Sequence, residues 1–313
     1  MLPYIGRRLL SAVITLVIVM TITFLMLHMT SGDPARAAAG PDADEATVAE
    51  ARERLGLNKP LYAQYFLWAG NVLQGDFGRS FVQGRDVMDI IMDRLPVTAS
   101  LILLSLVFAI VISVPLGIIA ATRRGRLTDR FAVVASSLGI AIPDFFLGLL
   151  LVLGLAVSIP MFPATGYVEF TADPVGWYQH LVLPAITLGT GVAAELTRHI
   201  RASLGDVLEL DYIRTATAKG VGRRSVVFKH GFRNASMPVV TVMGVQISRL
   251  LGSTVVVETV FNLNGLGSQI IKSILERDIP VVLGIGIFSA FVVLIVNLLV
   301  DLSYGWLSPK VRT

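Results

Sequence analysis

The sequence predicts an all-α membrane protein with six transmembrane helices and with both termini in the cytoplasm. The first observation behind this prediction is composition: 54% of the 313 residues are apolar and 15% are charged, whereas a soluble domain carries about 25% charge. The second is a series of apolar stretches long enough to cross a bilayer, which takes about 20 residues of helix. The third is the unequal distribution of lysine and arginine between alternate loops.

The composition also excludes several kinds of protein and site. So apolar a chain is neither disordered, nor fibrous, nor a soluble cytosolic enzyme. Cysteine is absent, which excludes a disulfide framework, a thiolate metal site and a cysteine nucleophile. The four histidines have no spacing typical of metal ligands. We therefore expect no catalytic residue, no bound cofactor, no metal and no nucleic-acid partner.

Six stretches are predicted to span the bilayer. They are Leu9–Met29, Val97–Thr122, Phe131–Ile159, a less apolar stretch at about Leu181–Ile200, Val239–Val257 and Pro280–Leu302. The first could instead be a cleaved signal peptide, but its apolar run exceeds the usual length of about 7–15 residues. Pro143 interrupts the third span, and we expect the Asp144 side chain to bond the backbone groups that a kink there frees.

The charges of the loops orient these spans. With the N-terminus inside, the inner segments hold 16 basic and 4 acidic residues, whereas the outer segments hold 9 basic and 15 acidic residues. Positively charged residues accumulate on the cytoplasmic side of membrane proteins. The bias has the same sign at every inner loop, so both termini are predicted to be cytoplasmic.

The spans divide the chain into four parts. These are a cytoplasmic N-terminus with the first helix (1–29), an external helical segment (30–96), a transmembrane domain (97–308) and a cytoplasmic tail (309–313). In the external segment we predict a helix at Ala46–Leu55 capped by Asp42 with Glu45 and ended by Gly56, a helix opened by Pro60 and closed by Gly75, and a third at Val87–Leu95. The apolar stripe of the second (Leu61, Tyr65, Trp68 and Val72) is predicted to pack on the outer ends of the spanning helices or to lie at the headgroup boundary.

The inner segment 205–236, between the fourth and fifth spans, is predicted to fold as two short helices at the cytoplasmic face. Asp206 is placed to cap the first, and Gly220 and Gly222 to end it. The second, Arg223–Asn234, is amphipathic and leads into the fifth span. Composition leaves two interpretations open: a loop held by anionic lipid headgroups, or a docking element for a cytoplasmic partner.

The amino-acid sequence of this segment resembles that of a known family. The run Asp-Tyr-Ile-Arg-Thr-Ala-Thr-Ala-Lys-Gly, which ends at Gly220, and the segment His230–Thr241 resemble the cytoplasmic coupling loop of ABC-importer permeases, more narrowly the dipeptide and oligopeptide permeases. Further similarities lie at Gly75–Ser80, Arg94–Thr98, Val256–Phe261 with Gly265–Gly267, and Asn297–Asp301. They occur in order along essentially the whole chain.

The resemblance implies a type I ABC-importer permease fold with a cytoplasmic coupling helix between helices 4 and 5. It implies the membrane subunit of an ATP-driven importer of di- and oligopeptides, working by alternating access in the bacterial cytoplasmic membrane. The implied partners are a sister permease in a heterodimer, two ATP-binding subunits and an external peptide-binding protein. The chain itself is expected not to be an enzyme, because it lacks a Gly-x-x-x-x-Gly-Lys-Ser/Thr phosphate loop.

Two alternatives to peptide import remain open at this point. The chain could belong to the same family and move another solute, such as glutathione, a nickel chelate or haem. It could also be a secondary transporter driven by an ion gradient, although such proteins favour acidic or histidine relays deep in several helices and often contain a repeated half.

The resemblance also implies the residues that couple the permease to its ATPase. These are Asp211, Tyr212, Ile213, Arg214, Thr215, Ala216, Lys219 and Gly220. The general family signature is Glu-Ala-Ala, three residues, Gly, nine residues, then Ile-x-Leu-Pro. Aligned on Gly220, only Ala216 and Gly220 match its letters, a departure typical of the peptide-permease branch.

Three further residues are candidates for the translocation path: Gln246, Arg249 and Glu258. A charge such as that of Arg249 is costly in the bilayer and should face protein or water. It either lines the path and attracts a substrate carboxylate, or pairs with Asp144 or Asp301, or bonds backbone carbonyls of a bent helix. The segment Gly189–Ala194 matches a dinucleotide-binding fingerprint by letters, but no strand precedes it, so its small residues are predicted to pack against another helix.

Overall fold

The computed structural model of the protein describes residues 2–29, 34–39, 43–54 and 56–307. These residues contain no strand, and an isolated bridge joins Arg79 and Asp86. The helices are α1 (Leu2–Met29), α2 (Pro34–Ala39), α3 (Glu45–Arg54), α4 (Leu61–Leu73), α5 (Val87–Thr122), α6 (Leu127–Ala141), α7 (Asp144–Leu151), α8 (Pro174–Leu208), α9 (Asp211–Ala218), α10 (Arg223–Ser225), α11 (Arg233–Val260), α12 (Leu266–Leu275) and α13 (Ile279–Leu307), with π-helical turns at Val152–Ser158 and Val226–Phe232.

The chain divides into two compact units. Of the described residues, one unit consists of 97–268 and 296–307, and the other of those in 2–96 and 269–295. The first unit contains α6 to α11, and the second contains α1 to α4.

The predicted spans correspond to helices of the structure. Among the described residues, α1, α5, α8, α11 with the turn before it, and α13 are each long and apolar enough to cross a membrane. Helices α6 and α7 pass the same test together, although the chain bends by 100° between them. Six spans are therefore present when the bent pair counts as one.

Helix α8 is the predicted fourth span and the least apolar. In its most apolar stretch 67% of the residues are buried inside the protein, against 11–28% in the other four unbroken spans. Because α8 packs on protein more than on lipid, its sequence needs less hydrophobicity. The predicted packing role of the small residues is confirmed at Gly189, where a Cβ would lie 2.7 Å from the Ser105 carbonyl oxygen of α5.

The separate third helix predicted in the external segment is wrong. Val87–Leu95 is not a separate helix but the first part of α5, which runs through Pro96 without a break. A proline within a helix removes one backbone hydrogen bond and crowds the preceding turn, yet membrane helices tolerate it when neighbouring groups compensate. Helix α5 is therefore continuous over all 36 of its residues.

In the second unit, α3 begins one residue before its predicted start. The Asp44 carboxylate caps it by accepting a 3.0 Å hydrogen bond from the Thr47 N–H, and the Thr47 hydroxyl and N–H lower the pKa of Asp44 below its ordinary value. The predicted cap, Asp42, lies outside the described residues. The predicted end is confirmed, since Gly56 has the left-handed φ of 68° that ends many helices.

Helix α4 carries the predicted apolar stripe. Trp68 and Val72 pack with Met20 of α1, and the rings of Tyr65 and Phe24 meet edge to face at 5.3 Å. Three of the four stripe residues therefore pack on a spanning helix, as predicted, whereas Leu61 is exposed. Edge-to-face ring pairs stabilise the packing beyond what the burial of their apolar area contributes.

The predicted cap of the inner segment is wrong. Asp206 lies inside the last turn of α8, where its carbonyl oxygen accepts from the Glu209 N–H at 3.3 Å. The reason is packing: Leu204 and Leu208 continue the apolar face of α8 against Val227 of the π-helical turn, so the helix extends beyond Gly205. The predicted helix Arg223–Asn234 does not end at Asn234. It begins with α10 and the π-helical turn, which continue without a break into α11.

Candidate functional site

Helix α9 holds six of the eight residues implied to couple the permease to an ATPase. Ile213 is buried, with 4% of its surface exposed, and fixes the side of the helix that faces the protein. Asp211, Thr215 and Ala218 are exposed and, at spacings of four and three residues, share one face of the helix. Ala216 is half-buried, three residues after Ile213 and thus on nearly the same side. This face therefore carries short side chains, and the larger side chains of Tyr212 and Arg214 are exposed beside it.

The chain after α9 holds this helix in place. The Tyr212 hydroxyl donates a 3.0 Å hydrogen bond to the His230 carbonyl oxygen, and the Asn234 side-chain amide donates to the Tyr212 oxygen at 2.9 Å. His230 belongs to the π-helical turn and Asn234 to α11. These two hydrogen bonds tie α9 to the π-helical turn and to the start of α11.

The end of α9 follows the prediction. Lys219 is its C-cap, and Gly220 has a φ of 79°, a conformation that costs glycine little and other residues much more. The Gly220 N–H donates to the Thr217 carbonyl oxygen at 3.0 Å. The chain thus turns sharply away from α9 at this residue.

A cavity of about 240 Å³ lies in the first unit, at the bend between α6 and α7. Its lining comes from α6, α7, α8 and α11 and from the bend itself. The lining residues are Gly139, Ile140, Ile142, Pro143, Asp144, Leu188, Gly191, Val192, Glu195, Gln246, Arg249, Leu250 and Ser253. Two of the three candidate path residues, Gln246 and Arg249, therefore come together here.

Arg249 pairs with a residue that the sequence analysis did not propose as its partner. Its Nη1 donates to the Glu195 carboxylate of α8 at 3.0 Å. The prediction that Arg249 pairs with Asp144 or Asp301 is thus corrected to Glu195, and the Asp301 side chain lies outside the described part of the structure. The only signal for Glu195 in the sequence is an acidic residue inside a span, which requires a partner.

The remaining polar groups of the cavity differ in how well they are satisfied. Gln246 is only 3% exposed, yet its side-chain nitrogen has no hydrogen-bond partner among the described residues. The expected bonding of free backbone groups by Asp144 is wrong, because the N–H groups of Phe146 and Leu147 donate to the Pro143 carbonyl oxygen at 3.0 and 3.1 Å, and α7 has no side-chain cap. The Asp144 carboxylate instead lines the cavity.

The third path candidate, Glu258, lies elsewhere in the same unit. It is fully buried and accepts hydrogen bonds from the Thr98 hydroxyl at 2.7 Å and from the Ser268 N–H at 2.8 Å. Thr98 in turn accepts from the Leu266 N–H at 2.8 Å, and a Cβ on Gly265 would overlap the Glu258 carboxylate. This arrangement joins the end of α11 to α5 and to the start of α12. A role for Glu258 in the path stays a prediction.

We expect Glu258→Gln to lower the free energy of unfolding by about 1–3 kcal/mol. An amide has one acceptor oxygen where the carboxylate has two, so one of the two buried donors loses its partner. Thermal unfolding of the purified protein in detergent measures the loss. The control is Glu276→Gln at an exposed glutamate, which should change stability by about 0.5 kcal/mol or less; equal stability of the two variants would contradict the prediction.

Two family models together match nearly the whole chain. The model described as binding-protein-dependent transport system inner membrane component matches residues 113–313, and the model of the N-terminal part of such membrane components matches residues 1–102. The chain belongs to this family. It is therefore a type I permease subunit of an ABC importer, located in the bacterial cytoplasmic membrane. The permease is not an enzyme, since ATP is hydrolysed by partner subunits.

Individual relatives agree with this membership. The permease is 44% identical over 312 residues to the glutathione transport system permease protein GsiC of Escherichia coli strain K12, Shigella dysenteriae serotype 1 strain Sd197 and Shigella flexneri serotype 5b strain 8401, covering 100% of this chain and 99% of each relative. Membership implies that the permease works with a partner permease, ATPase subunits and a binding protein. ATP-driven import thus replaces the ion-gradient alternative.

Proposed function

We propose that the permease imports short peptides, glutathione among them, by alternating access. The observation that carries the proposal is the 44% identity over nearly the full length to permeases named for glutathione transport, because glutathione is itself a tripeptide. The cavity supports it, since Asp144, Glu195 and Arg249 line the same space and a peptide also carries both signs of charge. We extend the proposal to a heterodimer with a different sister permease and to an external peptide-binding protein.

We further propose that the ATPase subunits bind α9. The exposed face at Asp211 and Thr215 offers a rigid surface of short side chains, and Ile213 with the Tyr212 hydrogen bonds holds that surface to the membrane helices. Closure of an ATPase pair around α9 would move the helix as one body and switch the permease between two packed arrangements. Arg214, Ala216, Lys219 and Gly220 complete the proposed coupling segment.

Uptake of labelled peptides tests the transport proposal. Cells that lack this chain should lose uptake of tritiated glutathione or of tritiated trialanine, and a plasmid copy should restore it. Depletion of ATP should stop uptake, whereas an ionophore that collapses ion gradients while ATP is maintained should leave most of it. If uptake of both peptides is unaffected by the deletion and that of a nickel chelate or haem is lost, the peptide proposal is wrong.

A further inference from the structure

The cavity lies where the backbone of a membrane span is not helical. Ile142 and Pro143, between α6 and α7, have extended backbone angles, and both line the cavity. Within a bilayer, non-helical backbone is stable only where it is buried in protein or lines a water-filled space. In transporters such interrupted spans commonly form solute sites. The bend therefore provides a polar space that a solute can occupy.

The donors of the cavity suit an anionic group. A buried polar atom without a partner is uncommon in a folded protein, and the Gln246 side-chain nitrogen is one, on a residue 97% buried. Arg249, three residues later on α11, carries five N–H donors, and Glu195 receives a 3.0 Å hydrogen bond from one of its nitrogens. A carboxylate in the cavity would bind Arg249 and satisfy Gln246 at the same time.

The acidic side chains of the cavity suit a cationic group next to that carboxylate. Asp144 and Glu195 give the lining two carboxylates against the single guanidinium of Arg249, so the cavity formally has one more negative than positive group. An ammonium group would complement Asp144 while Arg249 holds a carboxylate. Glu195 then neutralises Arg249 when the cavity is empty.

The size of the cavity limits what can enter. Pockets that enclose whole drug-sized ligands measure about 300–1,000 Å³, whereas this one measures about 240 Å³. One amino-acid head fits a space of this size, and the rest of a tripeptide would extend beyond it. In an α-linked tripeptide the free ammonium and carboxylate termini lie on different residues, but the γ-glutamyl end of glutathione carries both on one carbon.

We propose that this cavity is a subsite for a free α-amino-acid head group, with its carboxylate on Arg249 and Gln246 and its ammonium on Asp144. The subsite deepens the proposed function, on which it rests, by favouring γ-glutamyl peptides over their α-linked isomers. Glu195 acts as a stand-in for the substrate carboxylate and leaves Arg249 when substrate binds.

Equilibrium binding to the purified importer in lipid nanodiscs, without the binding protein, tests the subsite. The probes are tritiated glutathione and its isomer with an α-peptide bond, Glu-Cys-Gly, which has the same composition and charge. Wild type should bind glutathione about 10–100-fold more tightly, the range expected when hydrogen bonds to a charged group are lost. N-acetylglutathione, which lacks the ammonium, should bind as weakly as the isomer.

Variants distinguish recognition from a purely structural ion pair. Arg249→Gln should remove the preference for glutathione over its isomer. In Asp144→Asn, N-acetylation of glutathione should no longer lower its binding affinity. Glu195→Gln should bind glutathione several-fold more tightly, because it removes both a competitor for Arg249 and a like charge. If the pair of Arg249 with Glu195 were purely structural, Glu195→Gln would show no gain in glutathione affinity and a lower unfolding temperature. The control is Arg198→Gln, at an exposed arginine of α8 that does not line the cavity.

The outcomes also separate this proposal from the proposed function. If cells import glutathione through the permease but the purified importer binds both isomers equally, or Arg249→Gln keeps the preference, the subsite is wrong and peptide import stands. If the permease imports neither glutathione nor trialanine in cells, the proposed function fails. Absence of any binding by wild type at millimolar glutathione, with import intact, also overturns the subsite.

Discussion

Thr215→Arg is expected to reduce ATP-driven uptake by more than about tenfold while the permease remains folded in the membrane. Thr215 is exposed on α9, on the face opposite the buried Ile213, and its hydroxyl donates to the Asp211 carbonyl oxygen of its own helix at 2.9 Å. A long charged side chain there does not disturb the packing of the permease. It would prevent close contact with a partner, and residues central to an interface typically cost about 2 kcal/mol or more when that contact is lost.

Uptake in cells and co-purification of the ATPase subunits measure this effect. The matched control is Thr128→Arg, the same change at an exposed threonine of the predicted cytoplasmic loop before the third span, which should leave both measurements unchanged. Thr215 is a sharper test than Ala216, which is half-buried on the side of Ile213 and could disturb the permease itself. Normal uptake and normal ATPase content in Thr215→Arg would refute the docking role of α9.

Arg201→Ala is expected to destabilise the permease by about 3–5 kcal/mol. Arg201 of α8 donates through Nε and Nη2 to both oxygens of Asp129 of α6, with 2.9 Å between Nη2 and Oδ2. Asp129 is only 3% exposed, and besides Arg201 it accepts from the Gly125 N–H at 2.8 Å. Without Arg201 the carboxylate stays buried with its charge uncompensated, so the unfolding temperature should fall by on the order of 10 °C.

Thermal unfolding of the purified importer in detergent measures this loss against two variants. Arg85→Ala breaks the exposed pair between Arg85 and Asp93 and should cost about 1 kcal/mol at most. The double variant Asp129→Asn with Arg201→Ala removes both charges and should recover part of the loss, because the unpaired charge causes most of the damage. A double variant less stable than Arg201→Ala alone would contradict this explanation.

The sequence determined those features that depend on local composition. The spans follow from the thickness of the bilayer, which requires about 20 apolar residues in a row, and the orientation follows from the charge of each loop. The turn at Gly220 and the end of α3 at Gly56 follow from the left-handed backbone that glycine readily adopts. The family resemblance located α9, because the residues that carry it form one short contiguous motif.

The tertiary structure alone decided which distant residues meet. The pairs Arg249 with Glu195, Arg201 with Asp129, and Glu258 with Thr98 join positions 54, 72 and 160 residues apart. A sequence shows that a charge inside a membrane helix needs a partner, but not which helix supplies it. That choice follows from how whole helices pack. The same packing extends α8 to Leu208 and, in the part of the chain that the structure describes, leaves the Gln246 side-chain nitrogen unsatisfied beside the bend, because both depend on neighbours that are remote in the chain.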